Sequence, residues 1–132
     1  MELFAKLQVW QKAHALSLAA HAVAGKMRGP ENAALRSQLT RAAFSIPTNI
    51  VEGRGQRSDR EFSRFLRIAV NSGSELHYHL IVAHDRKLIS DREFVSLRDQ
   101  TTQVRKMLHG LLKQVSAPSP VIESRKKKPE VM

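Results

Sequence analysis

The chain has no cysteine. This excludes disulfides, thiolate metal sites and cysteine nucleophiles together, and it agrees with a reducing, cytoplasmic setting. Aromatic residues make up only 5% of the 132 positions, so aliphatic side chains must build most of the core. No segment approaches the roughly eighteen apolar residues that a membrane-spanning helix needs. The opening MELFAKLQVW has neither the basic n-region nor the apolar h-region of a secretory leader. A soluble protein of the cytoplasm is expected. Acidic residues are also in short supply: 12 Asp and Glu stand against 22 Lys and Arg, a formal net charge of +10. A field of one sign raises encounter rates with the opposite sign, so composition admits RNA, DNA, an anionic membrane surface or an acidic protein as partner.

What is present is helical periodicity. With 42% apolar content the length suits one domain with a single core. Val9, Ala13, Leu16, Ala20, Val23 and Met27 recur at spacings of four and three, which predicts a first helix over about Gln8 to Met27, stopped by Arg28-Gly29-Pro30. Leu35, Leu39, Ala42, Ile46 and Ile50 carry a second helix over about Glu31 to Glu52. That period runs straight through Pro47, which removes one donor and clashes with the carbonyl of Ala43 at a cost of roughly 3 kcal/mol unless packing offsets it. A kinked second helix held by its neighbours is expected.

Ser58-Asp59-Arg60-Glu61 and Ser90-Asp91-Arg92-Glu93 read as capping boxes that open a third helix, to about Lys87, and a fourth. The fourth carries Phe94, Leu97, Thr101, Val104, Leu108, Leu111 and Val115 at alternating spacings of three and four, a seam for near-parallel packing at about 20°. The fold class is therefore all-α, an antiparallel up-and-down four-helix bundle over residues 1–115. The remaining SAPSPVIESRKKKPEVM holds three prolines, few apolar residues and a basic run at Arg125 to Lys128, and reads as a disordered basic tail over 116–132.

The strings LQVWQKA from Leu7, RAAFSIPTNIVEG from Arg41 and SDREFSRFLRIAVNSGSEL from Ser58 occur in that order. In these the chain resembles the four-helix-bundle proteins called S23 or 23S rRNA intervening-sequence proteins, over about residues 3 to 115. The resemblance implies a ring-like homopentamer, no enzymatic activity and a suspected affinity for nucleic acid. The accessory proteins of diversity-generating retroelements are more distantly similar, which implies a possible reverse transcriptase partner. At His77 and His79 the chain departs from the acidic residues more usual in the family.

The residues themselves offer one sharp constellation. At about 100° per residue, Arg57, Arg60, Arg64 and Arg67 share one side of the third helix, roughly 170° from the apolar stripe of Phe62, Phe65, Leu66, Ala69, Gly73, Leu76 and Leu80. The planar arginine fork donates paired hydrogen bonds to phosphate, and Arg54 in the preceding turn extends the patch. A solvated charged face is the plainer explanation, but such faces commonly mix lysine with glutamate, whereas all four stripe positions here are arginine. A lesser basic strip of Arg98, Arg105, His109 and Lys113 lies on the fourth helix, and Arg125 to Lys128 form a third basic element.

Other constellations are weaker. His14 and His21, like His77 and His84, stand seven apart, about 10 Å along a helix, so neither pair shares one ion and no metal or other cofactor is expected. Asn49, Glu52, Ser72, Ser74 and Glu75 interrupt apolar runs without forming a nucleophile–base set. Glu52 and Glu75 are expected to meet Arg41 or backbone donors near the proline, and Trp10 to sit in the core or an interface. The sequence thus points to an oligomeric, non-enzymatic protein that binds the phosphate backbone of RNA or DNA, RNA being favoured by the resemblance alone. The alternative is an oligomeric scaffold or accessory subunit that binds a partner protein such as a reverse transcriptase.

Overall fold

The computed structural model describes residues 7–116. The expected tail and its Arg125 to Lys128 run lie outside them. The described residues form four α-helices, α1 (Gln8–Ala24), α2 (Ala33–Arg54), α3 (Asp59–Asp85) and α4 (Asp91–Ser116), with a short 3-10 turn at Pro30–Asn32 before α2. Each helix packs on its sequence neighbour, and α1 also packs on α4, so the helices follow one another around a closed bundle. Short connections make sequential helices antiparallel.

Most seam positions read from the sequence are buried: Val9, Ala13, Leu16, Ala20 and Met27 from the first segment, Leu39, Ala42, Ile46 and Ile50 from α2, Phe62, Leu66, Ala69, Leu76 and Leu80 from α3, and Leu97, Val104 and Leu108 from α4, while Val23, Leu35, Phe65, Phe94, Leu111 and Val115 are half-buried. Helix α1 stops three residues earlier than its seam does. Met27 stays buried in the turn that follows, and Gly29 (φ 101°) takes a positive-φ conformation that side-chain-bearing residues rarely adopt. Arg36 of α2 donates back to the carbonyls of Met27 and Gly29, the latter at 3.1 Å, and Asn32 Nδ2 donates to the Arg28 carbonyl at 2.7 Å. Backbone acceptors of this connection are thereby satisfied by one side chain of α2 and one of the 3-10 turn before it.

Helix α2 continues through the buried Pro47. Around the proline, Thr48 Oγ1 donates to the Phe44 carbonyl at 2.7 Å and Asn49 Nδ2 to the Ser45 carbonyl at 2.8 Å. These bonds tie side chains to the turn that the proline disturbs. Asn49 also reaches Ser45 Oγ, which pairs with Ser72 Oγ of α3 at 2.7 Å.

The expectation that Glu52 and Glu75 meet Arg41 is corrected here. All three side chains are exposed, and among the described residues none of them forms an ion pair or a side-chain hydrogen bond. Arg41 and Glu75 only line a common surface cleft of about 330 Å³ with Gln38, Ala42 and Ser45. In water such a pair gains little, and neutral hydroxyls supply the polar link between α2 and α3 instead.

The two capping boxes differ. At α4 both arms form: Glu93 N–H donates to Ser90 Oγ at 3.0 Å and Ser90 N–H to Glu93 Oε1 at 2.9 Å. Lys26 Nζ lies 2.9 Å from the other Glu93 oxygen and joins the end of the first segment to the start of α4. The Ser90 N–H, and then Lys26, hold the Glu93 carboxyl below its ordinary range. At α3 only the Ser58 arm forms, to the Glu61 N–H at 3.1 Å, because the Glu61 carboxylate turns to Arg64 instead. Helix α3 ends in a Schellman motif, with Leu88 N–H on the Ala83 carbonyl, Lys87 N–H on the His84 carbonyl, and Lys87 itself at φ 62°.

Candidate nucleic-acid interface

The connection from α2 to α3 is only four residues long, and its geometry is set by a close approach. A Cβ on the buried Gly53 would stand 2.8 Å from Phe65 Cβ and 2.9 Å from Phe62 Cδ1, so α2 meets the first turns of α3 with nothing between backbone and rings. Arg54, Arg57, Arg60, Arg64 and Arg67 all lie exposed around this corner. Arg54 closes α2, Arg57 stands in the connection and not on a helix, and the other three follow the outer face of α3.

Two of the five rest on the rings behind them. The Arg64 guanidinium lies 4.4 Å from the Phe65 ring centroid while its Nε donates to Glu61 at 3.2 Å, and the Arg54 guanidinium lies 5.7 Å from the Phe62 centroid. Such contacts hold the planar fork in place without neutralising it. Arg57, Arg60 and Arg67 make no ion pair or hydrogen bond through their side chains among the described residues. Glu61 therefore offsets one of five charges directly. Asp59, exposed beside it, contributes only to the surrounding field.

The second strip is held more tightly. Arg98 donates to Asp99 at 3.1 and 3.2 Å and lies 5.6 Å over the Phe94 ring. Arg105 is half-buried with its stem against Gly73 of α3, and its Nε is buried without a hydrogen-bond partner. His109 and Lys113 are exposed further along α4. Arg57, Arg60 and Arg67 make the α2–α3 corner the denser group of unpaired arginines, since Arg98 is paired to Asp99 and Arg105 is half-buried.

Tyr78 is an exposed residue that the charge pattern alone does not single out. It is 62% exposed, the highest value among the exposed large hydrophobic side chains. It stands eleven residues beyond Arg67, three turns plus about 20°, so it continues the arginine face. That spacing is the signal in the sequence that marks it. Trp10, by contrast, is half-buried against the core and stacks on His14 at 5.1 Å. Among the described residues no group of His, Asp or Glu is placed to hold a metal ion, and no helix is long and apolar enough to cross a membrane.

A solved structure from Bacteroides thetaiotaomicron, described as a protein of unknown function from the S23 ribosomal protein family, superimposes with a TM-score of 0.75 at 22% identity. The match covers 80% of this chain and 98% of that one, and at this identity it carries the fold alone. No curated protein matches the sequence. Residues 5–110 match the family model described as 23S rRNA-intervening sequence protein, which spans most of the bundle, and the chain belongs to that family.

Proposed function

We propose that this chain is a nucleic-acid-binding protein that acts by contact and not by chemistry, with the arginines of the α2–α3 corner as its phosphate ligands. The observation that carries the reading is that Arg57, Arg60 and Arg67 are exposed and unpaired beside Arg54 and Arg64, whose planes are backed by Phe62 and Phe65. Arginine forks arrayed in this way suit phosphate oxygens, and phosphate contacts position a backbone without reading its sequence. The net charge of +10 adds long-range attraction. Assembly into a homopentamer, which the resemblance implies, would present five such corners to one polyanion and multiply a weak single contact. Arg98, Arg105 and Lys113 then serve as flanking contacts.

The test is fluorescence anisotropy with structured RNA, single-stranded DNA and duplex DNA over a salt series, comparing wild type with Arg60→Ala/Arg64→Ala. Binding should weaken steeply with salt, and the double variant should lower the log–log salt slope by up to about 2. A complex insensitive to salt, or equal binding by both proteins, would reject the reading.

A second reading, an oligomeric scaffold or accessory subunit for a partner protein, draws on the exposed Leu18, Ile81 and Val95. It ranks below the first because singly exposed apolar residues are ordinary on protein surfaces. It expects a partner that stays bound in high salt.

A further inference from the structure

From the line of side chains along α3 we infer that the ligand is an unpaired nucleic-acid strand, with Tyr78 as the platform on which one of its bases stacks. The inference rests on the phosphate-binding reading above and specifies its substrate class.

Arg60, Arg67 and Tyr78 fall within about 20° of one another around α3, and Asn71 and Ser74 flank the line between them. All five are exposed. The nearest carboxylate on this stretch, Glu75, is displaced about 60° around the helix, so no acidic side chain interrupts the line. From Arg60 to Tyr78 the track runs about 27 Å at 1.5 Å per residue, enough for several nucleotides of an extended strand. Amide and hydroxyl groups like those of Asn71 and Ser74 are common partners of phosphate and sugar oxygens.

Tyr78 does little for the fold. Its ring meets His79 in a tilted contact at 5.8 Å, and most of its surface faces water. An aromatic ring at the end of a basic track is the arrangement that binds single strands: cations follow the backbone while a π-face receives a base. A duplex keeps its bases stacked inside and presents phosphates outward, so it could use the arginines but not the ring. Ile81 is also exposed one turn further on, and a contact with a second copy of this chain would use the same two residues. The experiment includes that outcome.

Anisotropy would be measured with labelled single-stranded RNA and DNA of about ten nucleotides, the same strands with abasic sites throughout, and a blunt duplex. Wild type, Tyr78→Ala, Tyr78→Phe and Arg60→Ala/Arg64→Ala are compared, and sedimentation gives the mass of each protein. Tyr78→Ala should weaken base-containing strands by about tenfold, leave abasic strands and duplex unchanged, and leave the mass unchanged. Tyr78→Phe should bind like wild type. The RNA and DNA arms show which sugar is preferred. The inference is overturned if Tyr78→Ala has no effect, weakens all ligands equally, or changes the oligomer mass, the last placing Tyr78 in a subunit contact. Loss of binding in the arginine variant together with no effect of Tyr78→Ala would leave the phosphate reading standing and remove the stacking alone. Absence of any binding by wild type would remove both.

Discussion

Arg105 lays its aliphatic stem over Gly73, so that a Cβ on the glycine would stand 2.8 Å from Arg105 Cγ and 3.1 Å from its Cδ. The contact joins α3 to α4 through the second member of the lesser basic strip. Alanine favours a helix interior over glycine by about 1 kcal/mol, whereas overpacking of a tight contact costs about 1–3 kcal/mol. Cγ lies near the backbone and cannot swing aside as the guanidinium can, so crowding wins. Gly73→Ala should destabilise by about 1 kcal/mol in urea unfolding, the balance of those two effects. In an Arg105→Ala background the sign should reverse to a gain of about 1 kcal/mol, and the resulting non-additivity isolates the contact.

Lys87 offers the opposite case. It holds φ 62° in the Schellman motif that ends α3, a conformation costing a side-chain-bearing residue roughly 1–2 kcal/mol. Glycine adopts it freely. Lys87→Gly should raise stability by about 1 kcal/mol in the same assay, with helix content unchanged by circular dichroism.

The start of α4 predicts an acid response. The Glu93 carboxyl is held below its ordinary value of 4.5 in the folded chain, by the Ser90 N–H first and by Lys26 next. A group whose folded value is depressed contributes stability that is complete above the unfolded value and lost as pH falls through the folded one. Stability should therefore decline below about pH 4.5, the ordinary Glu value. Glu93→Gln should show a shallower acid slope than wild type in a series of urea midpoints. Equal slopes would show that Glu93 is not among the titrating groups.

The fold was legible because its signals are local. Leu97, Val104 and Leu108 sit at the repeat that a bundle needs, and Ser58 and Ser90 cap the helices that their motifs announce. Contacts between distant residues left no such mark. Lys26 and Glu93 lie 67 positions apart, and only the closing of α1 onto α4 brings them together. Glu52 and Glu75 misled for a related reason: a charge placed near an apolar run suggests burial, but the helix turns both toward water. The arginine side of α3 was legible from angular spacing. Its backing rings were read only as core residues, and Tyr78 carried the same spacing without the charge that marks the arginines.

In the proposed phosphate binding, Gly53 has a kinetic consequence. Because the backbone of α2 presses directly on Phe62 and Phe65, the arginines that rest on those rings do not have to be gathered when a polyanion arrives. For Arg54 and Arg64 little side-chain ordering then remains to slow docking. Charges fixed in advance act through their field before contact, so salt governs how fast a polyanion arrives more than how long it stays. In that proposed binding, a residue without a side chain sets the tempo for the two arginines that rest on the rings it presses.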